Sequence, residues 1–196
     1  MTPEELLAFL RLAARLKGTP RHCRTTAGTE ESVAAHAWRL VLLAWLLQDE
    51  QPDVDMRRVM ELALVHDLGE AVTGDIPSFL KTPDHERTER DALSGIAALL
   101  PPPRGAALQA LFDEWDAQQT REARFCRALD KLEAVISHNE SDLSTWIPLE
   151  YELNLTYAEA EAAEFPCLSA LRARMRQDTQ EKIAAGTPKK QEEQRA

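Results

Sequence analysis

Glycine is scarce in this chain, at seven of 196 residues, which leaves little room for glycine-rich turns. Hydrophobic residues make up 44% of the sequence and charged residues 29%. This balance favours a helical, soluble, globular protein over a disordered or β-rich one. No strand pattern of any length and no internal repeat stands out. A chain of this length can bury the core of a single domain.

Three further features are missing, and each absence excludes a class of protein. No apolar stretch reaches the ~18–20 residues that a membrane span requires. The first residues are acidic and lack the basic and apolar regions of a secretory signal. Cysteine occurs only at Cys23, Cys126 and Cys167, without a Cys-x-x-Cys pair. We therefore expect a cytoplasmic protein without a disulfide framework.

Acidic residues outnumber basic ones, and the formal net charge is −10. This charge argues against binding a nucleic acid polymer, because the phosphates of a long nucleic acid attract basic surfaces. A small phosphorylated substrate is still compatible with it. A bound metal ion and one or two arginines can reverse the electric field inside a pocket.

Helix signals occur along the whole chain. We predict helices over residues 2–17, 33–48, 55–68, 82–100, 104–116, 121–141 and 166–184. The helix over 33–48, with Ser32 as its N-cap, is apolar on nearly all sides and is predicted to be central and buried. Residues 18–31 are predicted to form a polar loop, and Thr156 to Glu159 a capping box. Residues 1–185 form one predicted domain, and residues 186–196 a flexible tail.

Histidine and aspartate are adjacent at His66 and Asp67, directly after an apolar helical run. His36 lies upstream on an apolar helix face, and Asp130 lies downstream beside an apolar stripe. A single histidine of this kind is often a core residue bonded to a carbonyl group. Asp130 resists that explanation, because a carboxylate in an apolar setting must be paired or must bind a metal.

The four side chains together indicate a metal site. Without a metal, two imidazoles and two carboxylates would each carry a separate burial cost. With a divalent cation, the charge of the ion balances the two carboxylates, and four nitrogen and oxygen ligands leave positions open for water. Such an open position suits hydrolysis. The sequence therefore predicts one divalent metal ion held by His36, His66, Asp67 and Asp130.

A longer run extends this pattern, His66-Asp-Leu-Gly-Glu-Ala-Val-Thr-Gly-Asp-Ile-Pro77. It resembles the HD-x-x-E-x-x-x-G-D-[IL]-P signature of the small 5′-deoxynucleotidases, the HD domain-containing protein 2-like family of the HD-domain metal-dependent phosphohydrolase superfamily. The Leu-Lys-x-Thr-Pro-Arg run ending at Arg21 and the Asp-Lys-Leu-Glu run ending at Glu133 fit as well. The resemblance covers roughly residues 6–180. It implies an all-α fold, the HD-domain helical bundle with a central mononuclear metal site.

The resemblance also implies roles for single residues. Glu70 matches the catalytic carboxylate that orients or deprotonates the attacking water, and Asp67 is assigned to the catalytic centre with it. Arg21 matches a phosphate-binding arginine, since a guanidinium can hold a phosphate through two hydrogen bonds. Asp75 matches a residue that contacts the sugar, and His22 is assigned to substrate binding beside Arg21. The alternatives are a solvated helix-end charge for Glu70, an ordinary turn aspartate for Asp75 and a surface charge for Arg21.

The chain departs from the family pattern at two positions. Ala35 stands directly before the first histidine, where many relatives have Glu or Asp, so the affinity for metal can differ. His22 stands where some bacterial members have a Trp that forms part of a sugar-selecting wall. We therefore expect a preference for deoxyribose that is weaker than in the Trp-bearing relatives.

Two other kinds of HD enzyme fit less well. A dinuclear enzyme of the cyclic-dinucleotide phosphodiesterase or oxygenase kind needs extra histidines between the HD pair and the final Asp, where only His85 is present. A guanosine-tetraphosphate hydrolase would resemble HD-x-x-E-D, whereas Ala71 follows Glu70 here. A non-catalytic HD module is disfavoured because every ligand position and the catalytic Glu are present.

We therefore predict a metal-dependent phosphomonoesterase that hydrolyses (deoxy)ribonucleoside 5′-monophosphates to nucleoside and phosphate. The alternatives are hydrolysis of another small phosphate ester or nucleotide, and nucleotide binding without catalysis. The predicted cofactor is one divalent ion of Mn, Co, Fe, Zn or Mg. The expected partner is a small nucleotide, with no nucleic acid polymer and no membrane, and the apolar helices suggest a homodimer.

Overall fold

The structure, a computed structural model, describes residues 1–186 as a bundle of ten α-helices with one small hairpin. The helices are α1 (Pro3–Ala13), α2 (Val33–Leu46), α3 (Met56–Val65), α4 (Glu70–Thr73), α5 (Pro83–Ala97), α6 (Pro102–Ala117), α7 (Arg121–Glu140), α8 (Glu150–Thr156), α9 (Glu159–Ala163) and α10 (Pro166–Gly186). Short 3-10 segments lie at Ala14–Lys17, Ser78–Leu80 and Leu143–Thr145. The predicted all-α class is confirmed. Of the predicted tail, only Gly186 lies within the described residues, and it ends α10.

Two apolar clusters fill the bundle. The larger cluster joins α2, α3, α7 and α10 through fully buried side chains that include Leu40, Leu62, Leu129 and Leu168. The smaller cluster packs α5 and α6 against the segment after α1, with Leu16, Leu93 and Phe112 among its members. Helices α2, α3 and α7 also pack directly on one another, so the ends of their apolar faces meet at one place.

A two-stranded antiparallel sheet occupies the region predicted to be a loop. Strand β1 (Pro20–Arg24) pairs with β2 (Glu30–Ser32), with Pro20 opposite Ser32 and Arg24 opposite Glu30. The turn between them places Gly28 at a φ of 80°, which glycine adopts without steric cost. The expectation of no strands was wrong here, because these short strands are polar and show no apolar alternation.

Helix α2 packs centrally against α3 and α7 as predicted, but the predicted burial is limited to one face. Its N-cap is as predicted, since the Ser32 hydroxyl accepts a hydrogen bond from the Ala35 N–H at 3.2 Å. Leu40 is fully buried, whereas Trp38 and Trp45 on the other face are 66% and 51% exposed. A helix that is apolar nearly all round does not reveal from its sequence which face packs inward.

The helix predicted over 55–68 ends earlier, at Val65. Beyond that residue the backbone winds more tightly, with hydrogen bonds from the N–H groups of Leu68 and Glu70 to carbonyls three residues back. Because of this change in winding, the side chains of the adjacent residues His66 and Asp67 both point to the same side of the backbone.

The predicted capping box from Thr156 to Glu159 is absent. Thr156 is the last residue of α8, and α9 begins after Ala158, which has a φ of 66° and makes no side-chain cap. The sequence has the residue types of a capping box, but the residues before Thr156 already belong to α8, so Thr156 does not begin a new helix. No helix within residues 1–186 is both long and apolar enough to cross a membrane.

Candidate metal centre and substrate cavity

The four predicted metal ligands lie where α2, α3 and α7 meet. His36 lies in the first turns of α2, and Asp130 lies near the middle of α7. His66 and Asp67 directly follow the last residue of α3. Three separate helices thus bring these side chains together, and we call them the HD cluster.

The ligand atoms of the HD cluster converge. Nε2 of His36 lies 3.0 Å from Oδ1 of Asp130 and 3.7 Å from Oδ2 of Asp67. Nε2 of His66 lies 3.1 Å from the same Asp67 oxygen and 3.7 Å from the same Asp130 oxygen. A metal with ligand distances of about 2.0–2.2 Å keeps neighbouring ligand atoms roughly 3 Å apart, so these separations suit one shared cation.

In both imidazoles, the nitrogen that faces the HD cluster has no hydrogen-bond partner, as expected for a metal ligand. Nε2 of His36 and Nε2 of His66 are buried and make no hydrogen bond. Buried polar atoms without partners are rare in folded proteins, and each one calls for an explanation. A divalent ion removes this cost, and two nitrogen and two oxygen donors form a set that first-row divalent metals accept. The residues present therefore fit the metal that the sequence predicts.

Each histidine is held from its other ring nitrogen. The Nδ1–H of His36 donates to Oε2 of Glu133. The Nδ1–H of His66 donates to the Ala63 carbonyl at 3.0 Å. A neutral imidazole that donates through Nδ1 carries its lone pair on Nε2, which faces the HD cluster in both cases.

Glu133 is the centre of this support. It is fully buried and accepts hydrogen bonds from Nε of Arg39 at 2.6 Å and from the Ser137 hydroxyl at 3.1 Å. Burial raises the pKa of Glu133, but the hydrogen bond from His36 and the nearby positive charges outweigh it and bring the pKa to about 2. The sequence marked Glu133 only as the end of a matching run. Its position three residues after Asp130, on the same face of α7, could have indicated that it supports a metal ligand.

The residue before His36 does not take part in this support. Ala35 is exposed, so the departure from the family pattern at that position leaves the inward face of α2 unchanged. Glu31 in β2 is another buried carboxylate near the cluster. Its Oε1 lies 3.2 Å from the Ser137 hydroxyl, whose single proton is shared between Glu31 and Glu133.

Strand β1 places Arg21 against the HD cluster. Its Nη1 lies 3.6 Å from Oδ2 of Asp67, and its Nε lies 3.5 Å from Oε2 of Glu31. Only 12% of the side chain is exposed. Burial lowers the pKa of Arg21, but the carboxylates of Asp67 and Asp130 raise it further than burial lowers it. The guanidinium is therefore charged and can bind an anionic group next to the metal centre.

Glu70, the first residue of α4, lies beside Asp67. It is 4% exposed, and its Oε2 atom has no hydrogen-bond partner. Burial and, to a smaller extent, the charges of Asp67 and Asp75 together raise the pKa of Glu70 to about 10. A divalent cation in the HD cluster would favour the ionised carboxylate.

Asp75 follows a turn that requires glycine. Gly74 ends α4 with a φ of 77° and a ψ of 163°, a conformation that is essentially restricted to glycine. The turn directs the half-buried Asp75 to the cavity wall. Burial raises the pKa of Asp75, while the positive charge of Arg21 opposes this effect.

A cavity of about 860 Å³ opens over these residues. Every predicted site residue lines it except His36, which lies behind the others and is fully buried. The volume falls within the range of about 300–1,000 Å³ that is usual for small-molecule sites. Trp115 from α6 flanks the cluster, with its ring centroid 4.7 Å from that of His66. No local signal in the sequence pointed to Trp115.

His22 lies further along the same wall. Its Nε2 is 3.0 Å from Oε1 of Glu150, and its ring meets Phe79 edge to face with a centroid separation of 5.8 Å. The structure thus brings His22 into the cavity with Arg21, but it directs the ring nitrogen of His22 to α8 and away from the HD cluster.

Similarity to known proteins extends over most of the chain. The HD domain family model matches residues 13–168. The 5′-deoxynucleotidase HDDC2 of Mus musculus is 36% identical over 139 residues, which cover 69% of this chain and 69% of the relative. The 5′-deoxynucleotidase hdd1 of Schizosaccharomyces pombe is 34% identical over 160 residues, which cover 72% of this chain and 79% of the relative.

A solved structure agrees with this assignment. The crystal structure of a predicted metal-dependent phosphohydrolase from Magnetospirillum magnetotacticum MS-1 matches with a TM-score of 0.78 at 28% identity, over 92% of this chain and 96% of that chain. The family match includes every residue of the HD cluster, together with Arg21, Glu70 and Asp75. The resemblance that the sequence indicated is therefore confirmed, and the chain belongs to the HD domain family.

Proposed function

We propose that this protein is a metal-dependent 5′-nucleotidase that hydrolyses deoxyribonucleoside 5′-monophosphates to nucleoside and phosphate. One observation carries the proposal: the HD cluster, the charged Arg21 and the unpartnered carboxylate of Glu70 share a single cavity. Relatives named 5′-deoxynucleotidase, at 36% and 34% identity, support the same substrate class.

The HD cluster would hold one divalent ion, of Mn, Co, Fe, Zn or Mg. When bound, the ion supplies Lewis acidity, which polarises a phosphate oxygen and lowers the pKa of water. Glu70 would orient the attacking water and accept its proton, with Asp67 next to it at the catalytic centre. The water oxygen would form a bond to phosphorus while the bond from phosphorus to the 5′ oxygen breaks, and the proton taken up by Glu70 can return to that oxygen, which leaves as the nucleoside hydroxyl.

Arg21 is the group that would bind the phosphate. Its guanidinium is held between two carboxylates and loses little freedom when it binds an anion. A fixed positive charge next to a phosphate offsets the charge that develops on its oxygens during hydrolysis. The buried position strengthens this effect, because little water screens it.

Asp75 and His22 would contact the sugar. Asp75 can accept a hydrogen bond from a sugar hydroxyl. His22 and Phe79 form one wall of the cavity. By the family resemblance, His22 takes the position of a Trp that some bacterial members have. An imidazole offers a smaller apolar surface than an indole. The preference for deoxyribose over ribose should therefore be present but modest.

The direct test is phosphate release from a panel of nucleotides with each candidate metal. We expect release from 5′-monophosphates when metal is present, faster release from deoxyribonucleotides, and little from 3′-monophosphates. Equal rates on 3′-monophosphates and simple phosphate esters would favour the broader phosphoesterase alternative. Nucleotide binding without release under any metal would identify a non-catalytic module and overturn the proposal.

We also propose that the protein forms a homodimer through the exposed face of α2. Trp38, Leu42, Trp45 and Leu46 lie at helical spacing on this face, and each is at least partly exposed. Large apolar patches of this kind often mark protein interfaces. Trp38→Glu should convert a dimer to a monomer in light-scattering measurements, whereas a wild-type monomer would exclude the proposal.

The free thiols of Cys23, Cys126 and Cys167 agree with the proposed cytoplasmic location.

A further inference from the structure

A second group of potential metal ligands lies on the cavity wall and shares no residue with the HD cluster. It consists of His22 from β1, His138 from α7 and Glu150 from α8. One ligand atom from each of these residues lies within 4.8 Å of the other two. All three residues line the cavity, so an ion has a path of entry.

Two ring nitrogens converge on one carboxylate oxygen in this group. Oε1 of Glu150 lies 3.0 Å from Nε2 of His22 and 2.6 Å from Nε2 of His138. The carboxylate is fixed from its other side, because Oε2 accepts a hydrogen bond from the Ile147 N–H at 2.8 Å. Glu150 is also buried, so water contributes little to balancing its charge.

Either a proton or a metal ion must lie between Nε2 of His138 and the Glu150 carboxylate. The Nδ1–H of His138 donates to the Ala134 carbonyl at 2.9 Å. In a neutral imidazole the lone pair then stands on Nε2, directly opposite the Glu150 oxygen. Two electron-rich atoms at that separation repel each other unless a proton or a metal ion lies between them.

The surrounding donors are able to hold a metal ion at this point. His22 approaches the same Glu150 oxygen from a different element, so three ligand atoms can share one ion. The sulfur of the buried Cys23 lies against the same ring, 3.5 Å from Nδ1 and 3.8 Å from Nε2 of His138. Two histidines and a glutamate form a donor set that zinc uses in proteins, and a nearby sulfur suits the same metal.

We propose that His22, His138 and Glu150 form a second metal site, for a dication of the zinc class. The site joins β1, α7 and α8, and its ligand His22 is the neighbour of Arg21. An ion here fixes the strand that carries Arg21 onto the helix that carries Asp130. The site therefore acts on the arrangement of the cavity wall, and it requires no step of the proposed hydrolysis.

The zinc content of the full-length protein tests this inference. The wild type, loaded with zinc and dialysed, should hold about two zinc ions per chain by elemental analysis. His138→Gln and Glu150→Gln should each hold about one fewer, whereas Asp130→Asn should lose the ion of the HD cluster instead. The exposed His85→Gln and Glu152→Gln serve as matched controls and should keep the wild-type content.

Folding of the variants is checked by circular dichroism and by their remaining zinc. His22→Gln alters an exposed position, where misfolding is not expected, and it should lose the same zinc equivalent. The inference is overturned if His22→Gln, His138→Gln and Glu150→Gln all keep the wild-type content. It is also overturned if the wild type holds one zinc that disappears in Asp130→Asn. Zinc content needs no turnover, so a failure of the proposed nucleotidase activity is a separate result.

Discussion

The buried carboxylate of Glu133 holds the Nδ1–H of His36, so that the opposite nitrogen of the ring faces Asp67 and Asp130. The carboxylate is in turn fixed by Arg39. A metal ligand anchored in this way is pre-oriented, and the negative charge behind the ring makes its free nitrogen more basic. Glu133 thus acts on the metal through His36.

Glu133→Gln tests that role. The amide lacks the negative charge behind His36, so affinity for the metal should fall about 10- to 100-fold. Competition with a chelator of known affinity measures the change in Kd. Glu140→Gln is the matched control, because Glu140 is the exposed second partner of Arg39 and should leave the affinity unchanged. Equal Kd values for Glu133→Gln and the wild type would contradict the role.

Glu70→Gln tests the proposed catalytic carboxylate. The amide keeps the size of the side chain but cannot accept a proton, so turnover should fall by about 10²- to 10⁴-fold. The metal content should stay at the wild-type level, since Glu70 is not part of the HD cluster. Glu86→Gln, at an exposed position that lines the same cavity, should retain activity. Normal turnover by Glu70→Gln would remove this residue from the mechanism.

Asp75→Ala tests the contact with the sugar. Activity on nucleotides should fall more than activity on a generic phosphate ester, because only the nucleotide loses a hydroxyl partner. Asp91→Asn, on the exposed surface of α5, is the control and should leave both activities unchanged. A parallel loss on both substrates would show that Asp75 supports the turn and does not read the sugar.

The wild type also offers a test of deoxyribose preference. We expect kcat/KM for dAMP to exceed that for AMP by a modest factor, since His22 provides less apolar surface than an indole. Equal values, or a preference for AMP, would show that deoxyribose selectivity does not extend to this protein.

His138 gives a prediction for stability against pH in the metal-free protein. Burial lowers the pKa of His138, but its interactions with Cys23 and Glu150 outweigh burial and raise the pKa to about 10. The unfolded chain has an ordinary histidine pKa of about 6.5, so the folded state binds more protons between these values. The stabilisation is complete below about pH 6.5 and is lost as the pH rises through about 10.

Urea unfolding in the presence of a chelator measures this effect. Between about pH 6.5 and about pH 9, the wild type should lose more unfolding free energy than His138→Gln, which has no titrating group at this position. The exposed His85→Gln should follow the wild type. Identical pH dependence in the wild type and His138→Gln would contradict the raised pKa.

The HD cluster was predictable because its residues are chemically conspicuous. A histidine next to an aspartate, and a carboxylate in an apolar stripe such as Asp130, leave few explanations other than a metal. The helices followed from capping residues and apolar periodicity, which act over a few residues along the chain. Glu133 was within reach of the same reasoning, because it shares a helix face with Asp130.

The group formed by His22, His138 and Glu150 could not be predicted in that way. Its members belong to three elements that only the tertiary fold brings together, and each side chain is unremarkable in its own segment. The hairpin that carries His22 is too short and polar to show a strand pattern. The inward face of α2 could not be predicted for a different reason. Apolar residues occur on all sides of this helix, so the sequence does not show which side packs against the core.

Because Trp115 contacts His66, intrinsic tryptophan fluorescence can report on the metal centre. The indole lies against a ring whose Nε2 would gain a cation when the metal centre fills, so its fluorescence should follow occupancy without an added dye. Trp146 stands in the same relation to His138, with ring centroids 6.1 Å apart. A titration of Trp115→Phe and Trp146→Phe can therefore assign each spectral change to one of the two sites.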